Sequence, residues 1–433
     1  MPSDNDWRPV IPCVESVLME QLETPNTTPR NSLHYGWVIV FTGTLTIVAC
    51  LGLARFAFGM LLPSMRDALG MSFDEIGFLG TVNFAGYLVS VGLTPLLLRR
   101  FTPRSLISIG LVLIASCMFA ISVSDSYLTV ATLYTLVGVG SGLANIPLMV
   151  LVSFWFRRDM RGRAAGFIVI GSGFAIIFSG FLIPCLNAHF GSHGWRIAWL
   201  IIGFIVLVIA AIVATLIRNS PEEKGLEPLG ASGNVDYDPS ETKGRFSVAQ
   251  ILVHLGALYF VFGATYVIYG TFIVTTMVEE YGFTEVIAGR FWSWVGFFSL
   301  FSGVLFGILS DRIGRKGGLV AVFSVQTLAY LLAGLNLGEN VIFVSIVLYG
   351  LAAFAIPAIM AAAIGDYLGK ARAAAGFSII TFCFAIGQTV GPAAAGIVAE
   401  STGTFAVSYL ASSGLTIAAA LLSCFLPHPP RAH

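Results

Sequence analysis

The sequence predicts an all-α membrane protein of 12 transmembrane helices, built as two parallel six-helix repeats. Three observations predict it. Only 11% of the 433 residues are charged while 56% are hydrophobic, against roughly a quarter charged in a soluble domain. Apolar runs of the length needed to cross a ~30 Å hydrocarbon layer, about 20 residues, recur from end to end. One long polar connection divides these runs six from six.

The runs are continuous and rich in Gly and Ala, so they read as packed helices; barrel strands would alternate apolar and polar residues. In order, they span residues 36–64, 76–98, 105–124, 126–156, 164–187, 196–217, 248–278, 286–310, 317–337, 341–366, 373–399 and 404–426, each bordered by charged or turn-forming residues. The domain organisation expected is a cytoplasmic tail over 1–34, a six-helix bundle over 35–217, a cytoplasmic linker over 218–247, a second bundle over 248–427 and a short tail over 428–433. Met1 to Asn31 lacks the apolar core of a secretory signal and reads as a tail. The linker carries Pro221, Pro228, Pro239 and most of the mid-chain charges.

Acids and bases balance at 23 each, which gives no basic excess for nucleic acid. The six cysteines are scattered without a CxxC pair or ligand spacing, so neither a disulfide framework nor a metal site is expected. No cofactor motif appears, since Gly138, Gly140 and Gly142 lie within an apolar span, where glycines serve helix packing. Basic residues predict the orientation. With both ends in the cytoplasm, inner segments hold 19 Lys and Arg, outer loops hold only Arg66, Arg196 and Arg290, and Arg55 lies within a span.

The halves echo one another. Pro147 lies 19 residues before Gly166 in Ala164-Ala165-Gly166-Phe167, and Pro357 lies 19 before Gly376 in Ala374-Ala375-Gly376-Phe377. Such parallel repeats mark carriers that rock about a midplane site. The clearest local motif follows span eight: Gly307, then Asp311, Arg312, Gly314, Arg315 and Lys316. Its glycines let helix ends approach, and Asp311 can meet a helix N-terminus or an Arg as a latch between states. The matching first-half turn, Arg99-Arg100-Phe101-Thr102-Pro103-Arg104, keeps the bases without the acid.

At these two turns the chain resembles the major facilitator superfamily, and the resemblance covers all 12 spans. Ser141 to Pro147, Arg161-Gly162-Arg163 with Gly166, and Gly171-Ser172-Gly173 resemble the monocarboxylate and oxalate/formate carriers. Gly387-Gln388, Gly391-Pro392 and Arg55 to Gly59 ahead of Leu62-Pro63 resemble bacterial permeases near the cyanate permease. The resemblance implies a membrane transporter and no enzyme. It also implies the bacterial inner membrane.

Arg55 is the only Lys or Arg within the apolar body of a span. A charge there costs at least ~2.5 kcal/mol on insertion scales, so such residues usually face a watery cavity. Snorkelling to the interface is the alternative, although ten uncharged residues from Phe56 to Met65 still follow. Arg55 is placed like the first-span Arg of organic-anion carriers, where the resemblance gives it the substrate's negative group. Two departures stand out: Ala54 replaces the acid often found there, and span eight reads Phe297 to Gly303 where the monocarboxylate carriers place an Arg.

Asn83, Tyr87, Asn145, Tyr259, Tyr266, Tyr269 and Gln388 complete the candidate substrate site, each with interhelical bonding as its alternative role. No Asp or Glu lies deep in a span; His254, Glu279 and Glu280 read as interfacial. The expected function is a monomeric secondary carrier that imports a small organic anion with protons by alternating access. Export of drugs or amphiphiles is the second reading.

Overall fold

The computed structural model describes residues 34–230 and 247–427; the expected N-terminal tail up to residue 33, residues 231–246 of the linker and the tail at 428–433 lie outside them. Ten helical runs are long and apolar enough to cross a bilayer. Two of these, Met160–Leu216 and Glu285–Gly334, are 57 and 50 residues long. At ~1.5 Å per residue, each exceeds twice a ~30 Å layer and holds two crossings. The described residues therefore hold the 12 crossings expected.

We number them α1 (Gly36–Leu69), α2 (Phe73–Leu97), α3 (Pro103–Ser122), α4 (Tyr127–Trp155), α5 (Arg158–Val169 and Gly171–Phe190) and α6 (Gly194–Leu216). Then come α7 (Val248–Glu280), α8 and α9 (the parts of Glu285–Gly334 before and after Gly314), α10 (Glu339–Gly369), α11 (Ala375–Thr402) and α12 (Ala406–Cys424). The turns after even-numbered helices carry most of the bases, including Arg99, Arg157, Arg315 and Lys316, and define a basic face; the other turns define the opposite face.

Local chemistry explains the ends and breaks. Ser72 starts α2 through a capping box with Glu75, and Thr102 caps α3 with Pro103 in its first turn. Gly314 (φ 83°, ψ 159°) and Gly369 (φ 69°, ψ 165°) end α8 and α10 in matching turns, each three residues after an aspartate, Asp311 and Asp366. A side chain would be strained at such a positive φ. Helix α10 is interrupted at Ala353 and Phe354. Pro357 lacks an N–H for the Ala353 carbonyl and its ring would strike that oxygen; the Phe354 N–H freed there donates to Ser302 Oγ at 3.0 Å.

Helix α1 widens over Val48–Phe56 into π-helical turns, with Ala57 N–H donating five residues back to Gly52 O. Such segments often mark functional positions. The sequence reading did not anticipate it.

Three helix pairs join the first six helices to the second six: α1 with α7, α2 with α11, and α5 with α8. Glycines let the backbones touch, since a Cβ on Gly77 would lie 2.7 Å from Pro392 O and one on Gly296 would lie 2.7 Å from Gly173 O. In the α2 and α11 pair, the Thr81 hydroxyl donates to Thr389 O (2.8 Å) and accepts from Ala393 N–H (2.9 Å). Those two backbone groups would otherwise bond each other, so α2 inserts a hydroxyl into the α11 ladder beside Pro392. The described start of the linker is docked: Phe156 and Leu229 form a β-bridge, and Trp155 Nε1 donates to Arg218 O at 2.9 Å.

Gly289→Val places a side chain against Gly180 O and Pro184 across the α5 and α8 seam. Overpacking there should cost about 1–3 kcal/mol, read as a fall in Tm of the purified protein. An unchanged Tm would show that these backbones are not in contact.

Candidate functional site: a buried guanidinium between the helix repeats

Arg55 sits in the widened part of α1, and its guanidinium carbon lies 4.4 Å from the Phe84 ring centroid and 4.7 Å from that of Tyr87. Phe84 and Tyr87, three apart on α2, share a helix face. The Tyr266 hydroxyl of α7 lies near the same group. Arg55 forms none of the ion pairs found among the described residues.

Its Nε and Nη2 atoms are buried without a protein hydrogen-bond partner. These two donors share one edge of the planar fork, the edge that grips a carboxylate through two parallel hydrogen bonds. Cation–π contacts contribute roughly 0.5–2 kcal/mol each. Leaving a buried charged donor unpaired costs at least ~1–3 kcal/mol per group, so the rings alone do not satisfy the arginine.

Four other candidate residues gather here. Asn145 Nδ2 donates to Tyr87 Oη at 2.9 Å, and Gln388 Nε2 donates to Tyr266 Oη at 2.9 Å. Tyr259 is two turns earlier on α7, where its ring stacks on Phe384 (4.5 Å). The remaining two lie in seams. Asn83 Nδ2 donates to Tyr134 O at 3.1 Å between α2 and α4. Tyr269 stacks on Tyr349 (4.1 Å) and its hydroxyl is 2.8 Å from Ser345 Oγ, within the second six helices.

The motif after α8 forms a network on the basic face. Arg315 Nη1 donates to Asp311 Oδ1 (2.5 Å) and Arg315 Nε to Asp366 Oδ2 (2.6 Å). Gly314 supplies the turn; Gly307 has open space around it, Arg312 is exposed and Lys316 is partly so. The arginine thus ties the α8–α9 turn to the end of α10, inside the second six helices. His254, read as interfacial, has Nε2 2.9 Å from Leu422 O.

Residues 47–423 match the family model described as uncharacterised MFS-type transporter YbfB. The chain belongs to this major facilitator family. The transporter is 29% identical to a phosphoglycerate transporter protein of Salmonella typhimurium over 181 residues, 41% of this chain and 38% of that protein, so it aligns with less than half of that relative's length. It is 22% identical to monocarboxylate transporter 2 of Rattus norvegicus over 400 residues, covering 87% of this chain and 80% of the relative. It is also 26% identical to an agnestins efflux protein of Paecilomyces divaricatus over 358 residues, 80% and 77% of the two chains. A solved bacterial homologue of the human lysosomal transporter Spinster, in an inward-facing and occupied conformation, superposes with a TM-score of 0.69 at 15% identity, covering 90% of this chain and 97% of that one. At that identity the likeness shows the fold.

Family membership makes the protein a multi-pass membrane transporter, not an enzyme. It also gives meaning to polar ties on the opposite face that the sequence reading missed. Glu279 of α7 pairs with Arg66 of α1. Glu285 of α8 accepts from Asn187 Nδ2 of α5 at 2.7 Å, and Glu400 of α11 accepts from Phe73 N–H of α2 at 2.9 Å. Each of the three helix pairs has one tie, with the glutamate always on the second six helices and the donor always on the first. A cleft of about 520 Å³ lined by Ser64, Asp67, Asn187 and Glu285 lies beside the middle tie.

Asp311→Asn should slow transport by roughly tenfold while leaving equilibrium binding near normal if the network, which lies away from Arg55, governs the exchange between states. Turnover measured in liposomes alongside binding in detergent separates the two. An unchanged turnover rate would remove Asp311 from the mechanism.

Proposed function

We propose that the transporter is a secondary carrier of a small organic anion, with Arg55 holding the substrate's carboxylate. The observation that carries this reading is the unpaired Nε and Nη2 edge of a guanidinium placed between the two repeats. A hydrophobic body alone would leave that edge unsatisfied. Two relatives named for phosphoglycerate and monocarboxylate transport support the same chemistry. The relative named as an efflux protein keeps export as the alternative direction.

Within this reading the basic face is cytoplasmic, both termini lie on that side, and the membrane is the inner membrane of a bacterium. The bundles at 35–217 and 248–427 move as monomeric halves joined by the 218–247 segment. Ties at Arg66, Asn187 and Phe73 hold the opposite face shut, so the state described opens to the cytoplasm. Breaking them while the Arg315 network rearranges exchanges the openings. Tyr87, Asn145, Tyr266 and Gln388 set the site's shape; Asn83, Tyr259 and Tyr269 support it from behind.

We propose uptake together with protons. With no carboxylate deep in a span, the proton rides on the substrate's own carboxyl or on a histidine. Liposomes under an imposed pH gradient test this, with Asp67, Glu279, Glu280, Glu285 and Asp366 neutralised one at a time. The expected result is that none of the five changes removes gradient-driven accumulation. One that did so while sparing exchange would be the proton carrier and would overturn this reading.

Arg55→Lys should lose most ligand binding, about tenfold or more, while folding is retained, because one ammonium cannot reproduce a bidentate grip. Binding of small carboxylates to purified protein, read by thermal stabilisation, is the measurement. Normal affinity in the variant would assign Arg55 a structural role.

A further inference from the structure

We infer that the carried anion bears one negative charge on a flat aromatic body, so that the substrate class is aromatic monocarboxylates. The inference rests on the reading of Arg55 as the anion site and adds two properties to it.

The first property is charge. Arg55 is the only Lys or Arg in the body of a span and no Asp or Glu lies at that depth, so the empty site carries one positive charge. One carboxylate brings the occupied site to neutrality. A second would be left charged in a low-dielectric interior, where an unpaired ion is costly. The nearby amides spend one N–H each inside the protein, Asn145 on Tyr87 and Gln388 on Tyr266, and neither carries a charge to offset a second carboxylate.

The second property is shape. The guanidinium lies between rings on its own side, Phe84 and Tyr87. Across the interface, Tyr259, Phe262 and Tyr266 of α7 and Phe384 of α11 form a parallel set, with interplanar angles no larger than 18°. Tyr266 belongs to both groups, since its ring ends the stack and its hydroxyl lies beside Arg55. Tyr259, Phe262 and Tyr266 are buried while Phe384 is partly exposed. A parallel stack with one accessible member is extended by another flat ring in an offset arrangement, which gains quadrupole complementarity beyond area burial. A puckered aliphatic ring of the same size gains the area only.

Four probes applied to the purified full-length protein test this by calorimetry and thermal shift: benzoate, cyclohexanecarboxylate, terephthalate and benzamide. Benzoate should bind tightest, roughly fivefold better than cyclohexanecarboxylate. Terephthalate, flat with two charges, and benzamide, flat with none, should bind more weakly still. Phe384→Leu keeps apolar bulk and removes the ring face; it should bring the benzoate to cyclohexanecarboxylate ratio near one while sparing the aliphatic acid.

Equal binding of the two acids, both lost in Arg55→Lys, would overturn the flat body and leave the anion site standing. Terephthalate binding as well as benzoate would overturn the single charge. Benzamide matching benzoate, or Arg55→Lys binding all four normally, would overturn the anion site itself and this inference with it.

Discussion

An arginine in the middle of a bilayer must be answered by something, and its surroundings can be ordered by how much of that answer each supplies. The Arg55 guanidinium carbon lies over the rings of Phe84 and Tyr87, and the Tyr266 hydroxyl lies near it from the facing repeat. Each ring contributes on the order of 1 kcal/mol. No carboxylate joins them: the chain has Ala54 where related carriers often place an acid. The remaining demand sits on one edge, Nε and Nη2, and only a group from outside the chain can meet it. On the proposed reading the substrate meets it, because the protein does not neutralise the charge internally.

That demand shapes the polypeptide around it. A regular α1 would hold its own ladder with four-residue spacing, whereas the observed Val48–Phe56 segment uses five. Close packing accompanies the widening, since Gly52 abuts Ala175 of α5 and Gly59 abuts the α7 backbone at Gly270. Toward the opposite face the two repeats are welded by glycine contacts and three glutamate ties. All three glutamates stand on one side of the interface and all three donors on the other. On the proposed reading, opening that face breaks three polar ties together. The Arg315 network differs in kind, as both of its partners, Asp311 and Asp366, belong to the second repeat. Its acids are largely exposed, and such pairs are worth ~0–1 kcal/mol each. It ties two turns of the second repeat to each other and does not clamp the two repeats together.

The 12 crossings were legible because length and hydropathy carry that information directly, and the observed ends fall within a few residues of those expected. Arg55 was legible for the same reason that makes it expensive: a charge in an apolar run cannot hide. Asp311 and Gly314 were legible as a turn, while the matching Asp366 and Gly369 turn went unread. Polar residues inside spans were only half legible. Tyr266 and Tyr269 are both buried tyrosines on α7, yet one meets Arg55 and the other Ser345. They stand three residues apart, about 60° around the helix, and composition does not record which of the two faces the arginine. Phe262 and Phe384 could not be seen at all, because a phenylalanine in a membrane span is the expected residue whatever it does.

The same limit explains why the ties on the face opposite the basic one were missed. Glu279, Glu285 and Glu400 lie at helix ends, where acids are common and inexpensive, so nothing in the sequence marks them as paired. Their pairing depends on register between helices far apart in the chain: Glu400 reaches the Phe73 backbone only because Gly77 and Gly396 let α2 and α11 close to contact. Small residues thus do two things at once. They set the distance at which the repeats meet, and they determine which polar end groups come within bonding range. A bulkier residue at Gly77 would leave each helix intact and still separate Glu400 from its donor. In this fold the signal for a gate is accordingly carried by the glycines in the seam more than by the charges that close it.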